Sequence, residues 1–302
     1  MGLFGPPNVK EMKAGKDVKG LIKALGYKKD QAIVQAASLA LAELGSISVQ
    51  PLTAALENKD ATISQAAKET LIKIGEPAVE ALIAALRKFS IRKAAADVLV
   101  KIGGPALERV IDQLVSELLG EKDDISDAAN ALIDIGAPAI KQLTNILMDK
   151  SIKKICKKTN AMIVCMAFNM DQIPYHTDLL KQISEVLNNG FNLRGIVAAI
   201  LGKIGDASAV DPLLSALKDE DTFVHWAVAG ALFKIGDDKA LEPLINHLVE
   251  EDILISGTGS IWVLIGDGKT IKPMLANLKS EDQEIVQPAR ETLKKMGWHS
   301  EK

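Results

Sequence analysis

Side chains able to carry out chemistry are sparse in this sequence. Four of its 302 residues are histidine and two are cysteine. His176, His225, His247 and His299 stand far apart, and none falls in a zinc-ligand spacing. Cys156 and Cys165 are nine positions apart, which puts them on opposite sides of a helix. Within one helix they share neither a metal nor a disulfide, so a buried, reduced thiol in the cytoplasm is expected. No phosphate-binding loop or Gly-x-Ser-x-Gly elbow occurs. Gly257-Thr258-Gly259 is a fragment of a glycine-rich pattern inside an expected helix, where close helix packing accounts for it. The acidic runs Asp219–Asp221, Glu250–Asp252 and Glu281-Asp282 lack the spacing of a calcium-binding loop and suit the positive starts of helices. The expectation is therefore no catalytic group, no metal and no cofactor.

One candidate interaction feature is a basic patch. Lys153, Lys154, Lys157 and Lys158 fall on one face of an expected helix in SIKKICKKTNAMIVCMAFN, with Lys150 in the turn ahead. Cations at a helix start oppose the macrodipole, so their crowding there points to an anionic partner.

The elements that position such residues emerge from a repeat. Closing glycines recur at Gly45, Gly75, Gly103, Gly136, Gly205, Gly236, Gly266 and Gly297, at intervals of 30, 28, 33, 69, 31, 30 and 31. The interval of 69 is expected to hold two units, the inner one ending near Asn169. Residues 207–236 show the physics of one unit. Helix A opens near Pro212 and presents Val210, Leu213, Leu214 and Leu217 at helical spacing. Asp219, Glu220 and Asp221 make the turn, and helix B buries Val224, Ala227, Val228, Ala231, Leu232 and Ile235 before Gly236 reverses the chain. Such a hairpin buries both faces only by stacking on neighbours. The expected fold is an all-α superhelical solenoid of about nine hairpins, with B helices lining the concave side.

Aligning each B helix on its closing glycine reads the solvent stripe at positions ten, six and three residues earlier. In repeats two to four the first two positions are polar: Gln65 and Glu69, Lys93 and Asp97, Ser126 and Asn130. In repeats six to eight the stripe becomes Gly195, Ala199 and Gly202, then Trp226, Gly230 and Phe233, then Ser256, Ser260 and Val263. Glycine inside a helix costs about 0.5 to 1 kcal/mol relative to alanine. Three of them beside Trp226, Phe233 and His225 therefore suggest a cleft for a partner side chain or small ligand. Arg194, adjacent to Gly195, joins this candidate site; the competing account has Trp226 filling the space itself.

The units resemble the short HEAT-like repeats named after phycobilisome lyases. AVDPLLSALKDED, ALEPLINHLVEED and AVEALIAALRKFSIRKAAADVLVKIG carry the resemblance best, and NVKEMKAGKDVKGLIKAL is similar to the cap that often precedes such arrays. Membership implies an α-solenoid and leaves function open, since relatives range from scaffolds to enzymes. The family usually has Arg eleven residues before the closing glycine; only Arg92 and Arg194 fit that place here. The resemblance brings three enzymatic alternatives. The di-iron deoxyhypusine hydroxylases need repeated His-Glu pairs, and no histidine here is followed by Glu. HEAT-like DNA glycosylases need a basic groove. Residues 1–160 carry 23 basic and 19 acidic groups but residues 161–302 carry 13 and 20, which argues against extended nucleic-acid binding. For bilin lyases no compact catalytic signature transfers to named residues.

With 48% hydrophobic and 25% charged residues the chain has material for a large ordered core. No apolar run approaches the roughly 18 residues that span a bilayer, and the start lacks the zones of a secretory signal. The expected organisation is a leader at 1–14, one solenoid at 15–297 and a tail at 298–302. The expected function is a non-catalytic, cytoplasmic, monomeric scaffold that binds a protein partner through its concave face. An accessory factor holding a small planar cofactor or chromophore is the alternative.

Overall fold

The computed structural model describes residues 6–122, 125–156, 190–240, 243 and 244. The chain divides into two compact units, Met1–Leu114 and Val115–Lys302.

The first unit contains α1 (Val9–Ala14), α2 (Val18–Ala24), α3 (Gln31–Leu44), α4 (Ser46–Ala55), α5 (Ala61–Ile74), α6 (Val79–Leu86) and α7 (Arg92–Ile102); α8 (Gly104–Leu119) crosses the division. Helices α2 and α3, α4 and α5, and α6 and α7 form hairpins, and successive hairpins stack A helix on A helix and B helix on B helix. Leucines at helical spacing drive this: Leu21, Leu25, Leu41, Leu52, Leu71, Leu82, Leu86 and Leu99 are fully buried. The starts of α2, α3 and α5 are fixed by Asp17, Asp30 and Asp60, whose carboxylates accept from the amides of Gly20, Ala32 and Thr62. Between α3 and α5 lies a buried polar rung. Thr70 Oγ1 donates to Ala66 O, so Ser38 Oγ supplies the proton of the 2.9 Å Ser38–Thr70 bond and accepts from Lys73 Nζ.

The second unit contains α9 (Ser126–Ile135), α10 (Ile140–Met148), β1 (Ile155–Cys156), β2 (Phe191–Asn192), α11 (Leu193–Ile204), α12 (Val210–Ala216) and α13 (Thr222–Ile235). Val224, Ala227, Val228, Ala231, Leu232 and Ile235 are buried on α13, and Asp221 caps it through the Val224 amide. Each closing glycine within the described residues has a positive φ, from 58° at Gly45 to 79° at Gly136. Only glycine adopts this conformation cheaply, which is why the pattern is readable.

Helices on either side of the interval of 69 residues meet directly. Helix α11 packs on α10 and directly on α9, and α12 packs on α10. The described stack therefore runs α9, α11, α13, with α10 and α11 as partners in one hairpin. A hydrogen bond identifies the pairing. Ser64, eleven residues before its closing glycine, donates to Leu56 O at the end of its own helix A, at 2.9 Å. Arg194, at the same place before Gly205, donates from Nε to Leu147 O at the end of α10, at 2.8 Å. Beside them β1 and β2 pair antiparallel, with Ile155 opposite Asn192 and Cys156 opposite Phe191. The helix expected to start around Lys153 is not found there, since Ile155 and Cys156 are in the strand. Asn169 lies outside the described residues.

Candidate functional site

The solvent stripe of the B helices behaves differently in the two units. On α3, α5 and α7 it stays open: Gln35, Leu39, Gln65, Glu69 and Lys93 are exposed. Leu39 keeps 53% of its surface in solvent, although Leu41 on the same helix is fully buried. Lys68 and Lys93 both reach the Asp97 carboxylate, at 3.2 and 3.4 Å, tying α5 to α7 across this face.

On α11 and α13 the same positions are closed. Gly195, Ala199, Gly202, Gly230 and Phe233 are all buried. The expectation that the glycines leave a cleft is corrected at Gly195 and Gly202. A methyl group at Gly202 would lie 2.6 Å from Ala231 Cα, and one at Gly195 would enter the Phe223 ring. Phe223 is itself buried and packs against Phe191, with ring centroids 5.1 Å apart and the rings tilted by 51°. The glycines seat α13 against α11, and this close approach is what their helix-weakening cost supports. His225 is half-buried and Trp226 lies in α13, its side chain outside the described set. Ser256 and Ser260 lie outside the described residues.

Arg194 is also placed otherwise than expected. It is buried, its Nε bound to Leu147 O and its guanidinium paired with Asp219, whose side chain is 3% exposed. Asn192 caps α11 through the Arg194 amide and donates to Asp221 at 2.8 Å. These bonds join the end of α10, the start of α11 and the turn before α13, so the arginine is a tie between successive hairpins. Burial works to raise the Asp219 pKa, but the hydrogen bonds from Arg194 and the Asp221 amide, with the charges of Arg194 and Lys150, hold it below its ordinary value. Asp149 is held low as well, by hydrogen bonds from the Ser151 hydroxyl and amide, with Arg194 adding its charge.

The basic patch is only partly a patch. Lys150 and Lys153 are exposed. Lys154 is half-buried, and its Nζ donates to Leu118 O at 2.6 Å and Gly120 O at 2.5 Å, so it caps the end of α8. Lys157 and Lys158 lie outside the described residues.

One feature was not anticipated. A cavity of about 620 Å³ is lined by the closing turns after α9, α11 and α13, including Gly136, Ile204, Gly205, Asp206, Gly236 and Asp237. Asp206 and Asp237 already accept from the Ser208 and Lys239 amides. No sequence signal marks it, because each turn alone looks like an ordinary helix end. Among the described residues no group of His, Cys, Asp and Glu is arranged to hold a metal, and no helix is long and apolar enough to cross a membrane.

A family model of HEAT repeats matches residues 179–256. No curated protein matches the chain. Among solved structures, two engineered proteins are each 19% identical: one covers 97% of this chain and 92% of its own with a TM-score of 0.22, the other 93% and 98% with 0.24. Human deoxyhypusine hydroxylase in complex with glycerol is 16% identical over 97% of this chain and 99% of its own, with a TM-score of 0.27. Superpositions this loose carry no argument about activity. The fold is an all-α solenoid, and the HEAT match over residues 179–256 with the stacked hairpins supports a HEAT-like repeat for that part of the chain.

Proposed function

We propose that this protein is a non-catalytic, cytoplasmic and monomeric scaffold that holds a protein partner against the open B-helix stripe of its first unit. The observation that carries the reading is Leu39, an exposed leucine amid the polar residues Gln35, Gln65 and Glu69 on adjacent helices. An apolar centre with a polar surround is the composition of a protein-binding patch. HEAT repeats commonly mediate protein interactions, which supports the same reading without naming the partner. The proposal retains His225, Trp226, Ser256 and Ser260, with Lys150 and Lys153, as a second stretch of binding surface. It reassigns Arg194, Gly195 and Gly202 to packing.

Affinity capture from native extract by wild type and by Leu39→Asp tests this. Proteins held by the wild type and lost from the variant support the assignment; an identical set from both overturns it. The alternative, a small planar ligand in the second unit, loses its main support because Phe223 and Ala231 occupy the room beside the glycines. A coloured or small-molecule species released on denaturing purified protein would restore it.

A further inference from the structure

The turn joining α6 to α7 departs from its counterparts in two ways at once. Phe89 stands at its tip with 82% of its surface exposed, more than any other large apolar side chain among the described residues. The corresponding place, three residues after the last leucine of helix A, is Lys59 in the α4–α5 turn and Glu220 in the α12–α13 turn. The aspartates that cap α3, α5 and α13 have no equivalent at α7, which like α9 follows an isoleucine, here Ile91, without a side-chain cap. Finally, residues 81–96 contain Arg87, Lys88, Arg92 and Lys93 and no carboxylate. The first unit has 16 basic and 12 acidic groups, so this one segment accounts for its whole cationic excess. The Arg92 guanidinium lies 5.5 Å from the Phe89 ring centroid, and Lys93 reaches outward to Asp97. A phenyl ring in water with cations around it serves no packing purpose in the hairpin, whose core leucines are complete without it.

We infer that the Phe89 turn is a second docking point, for an acidic segment of a partner protein that carries an apolar socket for the ring. This goes beyond the stripe on α3, α5 and α7, since it uses an A-to-B turn. Charge complementarity selects the partner. A phosphate backbone needs cations in a continuous track, whereas the neighbouring turns interleave their lysines with Asp30, Glu57 and Asp60. An anionic bilayer needs a broad apolar face or several anchors, whereas one ring projects here from a chain of net charge −3. A protein socket needs a single aromatic anchor with a matching charged rim, and the turn offers that.

The test uses the full chain and a short fluorescein-labelled peptide of glutamates flanking two central leucines, read by fluorescence anisotropy. Saturable binding at low salt is expected, weakened about tenfold by Phe89→Ser and further by Arg87→Glu with Lys88→Glu, and unaltered by Leu39→Asp. The glutamine version of the peptide is expected not to bind. Because Phe89 faces solvent, its variant should melt with the wild type, so a loss of binding is not a loss of folding. Equal binding by wild type and Phe89→Ser, or equal binding of the glutamine peptide, overturns the inference. So does a stronger Phe89-dependent affinity for phosphatidylglycerol vesicles or for oligothymidylate.

Discussion

The B helices of the first unit and those of the second use the same three positions for opposite purposes. On α5 and α7 these positions hold Gln65, Glu69, Lys93 and Asp97, which remain accessible to solvent. On α11 and α13 they hold Gly195, Ala199, Gly202, Gly230 and Phe233, which are buried. A repeat register therefore says where a side chain sits in its helix, while the size of that side chain decides how closely the next helix approaches. Small residues bring the helices together and remove the surface; long polar residues hold it open. Binding capacity is accordingly expected in the part of the array where the stripe is least unusual in composition.

The largest effect should come from the tie that accompanies the close packing. Asp219→Ala leaves the Arg194 charge buried without its partner and should destabilise by about 3 to 5 kcal/mol, measured by denaturant unfolding. Pairing Arg194→Met with Asp219→Leu should recover most of that loss, because two apolar groups can occupy the site without a stranded charge. If Asp219→Ala unfolds like the wild type, the hairpins of the second unit are not held as described.

A middle-sized effect separates the two stripes directly. Gly195→Leu drives a side chain into the Phe223 ring and should cost about 1 to 3 kcal/mol or more, whereas Gln65→Leu at the equivalent place on α5 should stay within about 0.5 kcal/mol. Tolerance of both would erase the distinction between closed and open surfaces.

Acid adds a directional test. Asp219 has a lowered pKa in the folded chain, so the unfolded chain binds the extra proton first and stability rises with pH in that range. The contribution is complete above the ordinary aspartate value of 3.8 and disappears as pH falls through the lowered folded value. Unfolding midpoints taken downward from pH 5 should therefore drop more steeply for the wild type than for the Arg194→Met, Asp219→Leu pair. Parallel curves would mean that the ion pair has no part in acid unfolding.

The smallest structural effect is expected at Leu39. Leu39→Asp should change stability by no more than about 0.5 kcal/mol while reducing partner capture, since the side chain already faces water. A large loss of stability would show that Leu39 is packed and not presented.

Some of this was legible in the sequence and some was not, for identifiable reasons. The closing glycines stand out because a positive φ excludes most other residues, and Val224 to Ile235 show their burial through helical spacing. The interval of 69 was read as two units from its length alone, and the contact of α10 with α11 across it left no signal in the sequence. The two-residue strands beside that contact are too short to leave a periodic trace. Arg194 was placed correctly in the register but assigned to a partner, since its bonds to Leu147 and Asp219 join residues 47 and 25 positions away. The glycines misled for a similar reason. Whether a missing side chain means room or contact depends on what the next helix offers, and Ala231 lies 29 residues beyond Gly202.

The pairing of Ile155 with Asn192 has a consequence for how the chain tolerates change in length. Because the two ends are clamped as neighbours, the stretch between them closes a ring whose entropic cost varies only slowly with its size, about 0.6 kcal/mol per doubling. The site is thus a natural splice point. Ends this close suit the adjacent termini of a grafted domain, with α10 and α11 keeping the same partners.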